Sequence, residues 1–245
     1  AEYMGNILSF AFPRSSFPMA LRLYGAPMST NTARVLICLE EKCVEFEFVD
    51  VQIFSGGHKK PDFISKNPFG KVPVLEDGGL TLCESRAITA YICEKYKDSG
   101  VDLLRHGDVK EAAMVKMWAE VEAHQYNVAI EPVVYQLMVN PIHGLPADEA
   151  VVEANVEKLK KLLDIYEARL CSKKYLAGEF FSLADVHHFP FTYYLMQTPY
   201  ASIINERPYV KGWWEDIMSR PSFVKVAKGM TVEEKLANYV RHFQI

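Results

Sequence analysis

Residues 67–88 read Asn67-Pro68-Phe69-Gly70-Lys71-Val72-Pro73-Val74-Leu75-Glu76-Asp77-Gly78-Gly79-Leu80-Thr81-Leu82-Cys83-Glu84-Ser85-Arg86-Ala87-Ile88. Two short apolar runs, at Val72–Leu75 and Leu80–Leu82, flank Asp77-Gly78-Gly79. That turn chemistry between two β-prone runs predicts a tight hairpin. Pro73 has no backbone N–H and therefore suits the opening of a strand. After Glu84-Ser85, apolar residues at Ile88, Tyr91 and Ile92 repeat at helical spacing. The stretch predicts β-β-α.

Towards the N-terminus, Leu21-Arg22-Leu23 alternates as a strand does. The Ser29-Thr30-Asn31-Thr32 cluster that follows carries the side chains that cap helix starts. From Ala33 to Lys42 apolar residues lie nearly all round the helical wheel, which predicts a buried helix. Glu45-Phe46-Glu47-Phe48 alternates strictly, the pattern of a half-buried strand. A polar stretch with Gly56-Gly57 leads back to the hairpin. The full order is β-α-β, a connecting loop, then β-β-α, which predicts a thioredoxin-like α/β domain over residues 19–98.

Residues 99–107 read as a linker. From there to residue 230 strand signals fade and an all-helical domain is expected over 108–230. Val152, Val156, Leu159, Leu163, Tyr166 and Leu170 form one apolar stripe. Pro132 predicts a kink and residues 141–146 a loop. Ser182-Leu183-Ala184-Asp185 has capping-box spacing, with Phe181 placed to staple onto the first turn. Val210, Trp213, Trp214 and Ile217 mark another helix, ended before Pro221. Residues 1–18 are expected to be an extension, with Met19 near the functional start. Residues 231–245 read as a tail of helical spacing.

The chain of 245 residues carries 27 basic and 31 acidic side chains, a net charge of −4. That balance offers no electrostatic footprint for nucleic acid or anionic membrane. No apolar run reaches the roughly 18 residues that span a bilayer. The five cysteines, Cys38, Cys43, Cys83, Cys93 and Cys171, are odd in number and contain no CxxC pair. A disulfide framework, a zinc ribbon and a dithiol redox site are disfavoured, and reduced thiols in the cytoplasm are expected.

Four motifs carry candidate chemistry, and each has a plain structural reading beside the functional one. Ser29 caps a helix, or it aims its hydroxyl at a ligand thiol. Such a thiol, with a pKa near 8.5, is only a few per cent ionised at neutral pH. Lowering that pKa by about two takes roughly 2.7 kcal/mol of preference for the thiolate. One hydroxyl donor to a charged acceptor supplies roughly 1.5–3 kcal/mol and a helix N-terminus roughly 0.3–1. No metal or strong base is required. Val72-Pro73 is an ordinary edge-strand proline, or it is a cis turn whose Val72 N–H and C=O pair with an extended ligand. Glu84-Ser85 is a helix cap, or Ser85 donates to a carboxylate while Glu84 pairs with an ammonium. His58-Lys59-Lys60 is a solvated basic loop, or an anion contact. Taken singly each motif favours its structural reading. Together, within one thioredoxin-like domain, they fit glutathione, which has a thiol, two carboxylates and one ammonium.

The blocks MSTNTARVLICLEEK (28–42), GGHKKPDF (56–63), NPFGKVPVLEDGGLTLCESRAI (67–88) and LAGEFFSLADVHHFP (176–190) resemble the soluble glutathione transferases, most closely the plant phi class. The resemblance runs from about Met19 to about Met230. It implies that Ser29 stabilises the glutathione thiolate and that His58, Lys59 and Lys71 hold the glycyl end. Val72, beside a cis Pro73, would pair with the cysteinyl backbone, and Glu84 and Ser85 would hold the γ-glutamyl end. It further implies a cytosolic homodimer with no metal and no permanently bound cofactor, using glutathione as cosubstrate and an apolar electrophile as partner. A hydrophobic pocket between the domains, with Met28, Ile53, Tyr126 and Ile130 as candidate lining, would hold that electrophile. Hydroperoxide reduction is a companion expectation. The rivals are a non-catalytic carrier of flavonoids or other planar ligands, and a structural subunit that no longer binds glutathione.

Overall fold

The computed structural model describes residues 21–230. The expected extension at 1–18 and tail at 231–245 lie outside the described residues. The first half holds four strands, β1 (Arg22–Gly25), β2 (Glu47–Asp50), β3 (Val74–Asp77) and β4 (Leu80–Cys83), in the order β2-β1-β3-β4. β1 and β2 run parallel, with Leu23 opposite Phe48, and β3 and β4 join antiparallel, with Leu75 opposite Leu23 on one side and Leu82 on the other. Gly78 and Gly79 both have positive φ, at 54° and 95°, which is why this hairpin turn needs glycine.

Helices α1 (Thr30–Glu41), α2 (Pro61–Ile64) and α3 (Ser85–Lys95) surround this sheet. Successive strand residues face opposite ways. Leu23 and Leu75 enter the main core with Val35, Leu39, Ile88 and Ile92 of α1 and α3. Val74 and Tyr24 turn to the other side and meet Phe63 of α2. Cys38 and Cys93 meet in the main core with 3.5 Å between sulfurs, a thiol hydrogen-bond distance, not the roughly 2.05 Å of a disulfide. All five cysteines are free.

The remaining described residues form α4 (Val109–Val121), α5 (Asn127–Val134), α6 (Asn140–Ile142), α7 (Glu149–Leu170), α8 (Leu183–Leu195), α9 (Ser202–Asn205), α10 (Pro208–Met218) and α11 (Pro221–Ala227). This is a thioredoxin-like α/β domain followed by a helical domain. Pro132 does not break its helix. Wide π-type turns at Glu122–Tyr126 and Tyr135–Val139 flank α5 and carry the chain past the proline. The stretch expected to be a loop at 141–146 begins inside the one-turn α6.

The capping box forms at the start of α8. Asp185 is fully buried and accepts from Ser182 N–H at 2.9 Å, Ser182 Oγ at 3.0 Å, Leu176 N–H at 3.2 Å and Trp213 Nε1 at 2.9 Å. Burial pushes its carboxyl up to about 6 against these four donors, so it is ionised at neutral pH. Phe181 packs edge-on against Tyr175 and Phe223. Replacing Asp185 by Ala orphans buried donors at a cost of about 1–3 kcal/mol each. We expect Asp185→Ala to lose at least about 3 kcal/mol in urea unfolding, because two of the donors are backbone N–H groups that cannot turn away.

Two further ties hold the helical domain, one on the linker and one on the α/β domain. Leu183 N–H donates to Leu103 C=O at 2.9 Å. Arg220 grips the Glu41 carboxylate with two bonds of 2.9 and 2.6 Å, and Ser222 Oγ donates to the same group. No helix among the described residues is long and apolar enough to cross a membrane.

Candidate glutathione site

Ser29 is the N-cap of α1. Its Oγ accepts from the Thr32 N–H at 3.4 Å. Because Oγ is the acceptor in that bond, its proton is available for a ligand. The donors of the first helical turn have no partners within the helix and leave a positive end there. The backbone around Ser29 is tied twice more: its N–H donates to Ala26 C=O at 2.9 Å, and its C=O receives Ala33 N–H at 2.9 Å.

The Val72–Pro73 bond is cis. β3 begins only at Val74, so Val72 lies outside the sheet ladder, half-buried against the small cluster of Val51, Phe63 and Val74. Asn67 builds the loop before it: its Nδ2 donates to Lys71 C=O at 2.6 Å, and its Oδ1 receives Phe69 N–H at 3.1 Å. Lys59 Nζ reaches across to Gly70 C=O at 3.0 Å and joins the His58-Lys59 loop to this turn. Lys71 is exposed.

His58 differs from the basic contact expected of it. Burial first and the Lys59 charge second hold its imidazole below the usual histidine range, so the ring is neutral at neutral pH. Its Nδ1 is buried without a hydrogen-bond partner. The ring offers a hydrogen bond, not a charge.

Glu84 has φ 70° and ψ 107°, a region that L-residues avoid at a cost of about 1–3 kcal/mol. It is exposed at the start of α3 and its side chain makes no capping bond. β4 on one side and α3 on the other hold it in this conformation. Ser85 is buried, and its hydroxyl is already engaged: Oγ receives Arg34 Nη1 at 2.7 Å and donates to Asn31 Oδ1 at 3.2 Å. A ligand carboxylate at the α3 N-terminus therefore has the free N–H groups of the first turn available before the Ser85 hydroxyl.

Beneath Ser29 and Ser85 lies a polar network that the sequence does not announce. Arg34, fully buried on α1, donates to Asn31 Oδ1 at 2.6 Å, to Ser85 Oγ, and at 3.4 Å to both Glu122 Oε1 and the His187 carbonyl. Arg86 adds two bonds to Glu122, at 2.7 and 2.9 Å. Burial lowers the Arg34 guanidinium to about 10, with the Glu122 charge opposing that shift, so Arg34 is cationic at neutral pH. A second missed residue is Tyr194 of α8, whose OH donates to the Met28 carbonyl at 2.6 Å. The only sequence signal for Arg34 is a charge next to the apolar run Val35–Leu39 of its helix. Tyr194 has none.

The expected pocket lining is corrected in part. Tyr126 stacks on Tyr166, bonds Thr192 Oγ1 at 2.7 Å and is 1% exposed, and Ile130 is 0% exposed. Both are core residues, because their helices meet α7 and α8 along these positions. Ile53 packs with Val51, Phe63 and Val74 in the small cluster under α2. Met28 is half-buried, next to Ser29, and packs against the main core. Among the described residues no group of His, Cys, Asp and Glu is arranged to hold a metal.

Comparison with known proteins agrees with this geometry. The family model "Glutathione S-transferase, N-terminal domain" matches residues 19–94, and "Glutathione S-transferase, C-terminal domain" matches 126–221. Glutathione S-transferase F13 of Arabidopsis thaliana is 59% identical over 87% of this chain and 98% of its own. The crystal structure of glutathione transferase F7 from Populus trichocarpa shares 63% identity with a TM-score of 0.85, covering 86% of this chain and 99% of that one. Glutathione S-transferase I from maize, in complex with an atrazine glutathione conjugate, shares 48% identity with a TM-score of 0.80, covering 86% and 98%. The chain belongs to the glutathione S-transferase family, in its plant phi class.

Proposed function

We propose that this protein conjugates reduced glutathione to apolar electrophiles, with Ser29 as the residue that activates the thiol. The observation that carries the reading is the Ser29 hydroxyl. It sits at a helix N-cap as an acceptor, and its own proton is uncommitted. Donated to the glutathione sulfur, that proton stabilises the thiolate, and the positive end of α1 adds to the effect. The thiolate then attacks an electrophilic carbon, a thioether forms and the leaving group departs. The maize relative in complex with a glutathione conjugate supports this reaction class.

Val72, outside the ladder beside a cis proline, offers its backbone to the cysteinyl portion of glutathione. Lys59, Lys71 and neutral His58 receive the glycyl end, and Glu84 with the α3 N-terminus receives the γ-glutamyl end. Residues 19–98 thus carry glutathione, 99–107 link, and 108–230 supply the electrophile pocket. With hydroperoxides the same thiolate attacks the outer oxygen and releases an alcohol. A second glutathione then resolves the sulfenate to glutathione disulfide and water. We place the protein in the cytosol as a homodimer with no permanent cofactor. The odd cysteine count without a CxxC pair supports the cytosolic part of this reading. The carrier reading gains nothing from Tyr126 and Ile130, which are core.

The direct test is retention on immobilised glutathione together with conjugation of a halogenated aromatic. Retention with measurable conjugation is expected, and a protein that does neither contradicts the reading. Within it, Lys59→Met combined with Lys71→Met is expected to raise KM for glutathione by roughly tenfold with kcat little changed, since these charges bind ground state and transition state alike. The wild-type advantage shrinks with added salt, because both lysines are exposed.

A further inference from the structure

The peptide unit between Met28 and Ser29 is held at both ends by groups of different origin. Its N–H, on Ser29, donates to Ala26 C=O at 2.9 Å within the same turn. Its C=O, on Met28, receives the Tyr194 phenol at 2.6 Å, across 166 residues of sequence. The other bonds around Ser29, from Thr32 N–H and Ala33 N–H, come from its own helix. Among the described residues, Tyr194 thus makes the one hydrogen bond from the helical domain to the peptide plane from which the Ser29 side chain springs. It is only 5% exposed, and α8 beneath it is anchored by the capping box on Asp185. Its ring meets Tyr193 edge-on. A peptide plane fixed at one end can rotate about that hydrogen bond, whereas one fixed at both ends cannot without losing a bond.

We propose that Tyr194 is a positioning residue for the conjugation reaction: by holding the Met28 carbonyl it fixes the direction of the Ser29 hydroxyl towards the glutathione sulfur, so that the helical domain sets the acidity of a thiol bound on the α/β domain. This rests on Ser29 being the thiol activator. Burial pushes the Tyr194 phenol further above its ordinary range, so it stays a donor throughout the working pH range. The loss of one hydrogen bond to a neutral carbonyl is a modest event, but a hydroxyl that must point within a narrow cone loses its effect when its backbone can turn.

The test is a double-mutant cycle on the full chain with Ser29→Ala and Tyr194→Phe, read by the pH dependence of kcat/KM and by the ultraviolet thiolate band of bound glutathione. Tyr194→Phe removes only an oxygen. It is expected to raise the apparent pKa of the bound thiol by roughly 0.5–1 and to lower kcat three- to tenfold, with KM for glutathione within about twofold. In the Ser29→Ala background the same change is expected to add nothing. Tyr175→Phe, which likewise deletes a phenol bonded to a partner, here Asp216 at 2.6 Å, controls for lost stability and is expected to leave the thiol pKa unchanged.

An unchanged thiol pKa in Tyr194→Phe overturns the proposal. So does an equal shift with and without Ser29, since Tyr194 would then act by another route. If Ser29→Ala itself leaves the thiol pKa where it was, the Ser29 reading fails first, and the Tyr194 proposal fails with it. The cycle tells these failures apart.

Discussion

Ser29→Ala is expected to lower kcat/KM for conjugation by roughly 10- to 150-fold while the fold stays intact. The magnitude follows from the loss of one hydroxyl donor to a charged sulfur, about 1.5–3 kcal/mol. The structural cost is small by comparison. Losing an N-cap side chain costs about 0.5–2 kcal/mol, and the Ser29 cap bond, at 3.4 Å, belongs at the low end. Ser29→Thr keeps a hydroxyl and a capping oxygen, and should retain most of the activity. Steady-state kinetics of the three proteins, with thermal midpoints alongside, make the comparison. Equal kcat/KM in wild type and Ser29→Ala would remove Ser29 from the chemistry.

Glu122→Ala is expected to have a large effect on stability. Glu122 is 1% exposed and is the carboxylate that faces both Arg34 and Arg86. Arg34 is 0% exposed, so deleting its counter-charge leaves a cation in the interior. Removing one partner of such a buried pair costs about 3–5 kcal/mol. Arg34→Met should cost less, about 1–3 kcal/mol, because the buried cation goes too and Glu122 keeps both bonds to Arg86. The order of the two variants matters more than either number. Arg34→Met should also raise KM for glutathione, since Ser85 and Asn31 lose the donor they share. Urea unfolding reads the first effect and KM the second. A Glu122→Ala protein within about 1 kcal/mol of wild type would mean that water or another group neutralises Arg34.

What the sequence makes legible is what neighbours in the chain decide. Asp77-Gly78-Gly79 announces the hairpin because the turn's positive φ values are a local demand. Ser182 and Asp185 announce the α8 start because a capping box closes within three residues. β2 shows where local reading slips. Alternation marks residues 45–48, yet the strand runs from Glu47 to Asp50, because pairing with β1 sets its extent and Arg22 lies opposite Glu47. The kink expected at Pro132 rests only on that residue's own chemistry. The wide turns on either side of α5 that absorb it depend on how that helix packs.

The site divides the same way. Ser29, His58, Lys59, Lys71, Val72, Pro73, Glu84 and Ser85 stand out because each sits at a helix start, a turn or a loop. Arg34 does not, because its partners Ser85, Glu122 and His187 lie 51, 88 and 153 residues away. Tyr194 is hidden for the same reason. Tyr126 and Ile130 fall in the core and not in a pocket because a helical stripe tells which side is buried, and not whether a cavity or another helix covers it.

The acidity of bound glutathione reports most directly on what Ser29 does. Titrating the thiolate absorbance of glutathione on wild type and on Ser29→Ala measures it without an electrophile. The expected pKa is about 6.5 on the wild type, about two below the free thiol, returning towards about 8.5 on Ser29→Ala. A wild-type value equal to that of the free thiol would contradict the central claim that Ser29 and the α1 N-terminus activate the thiol.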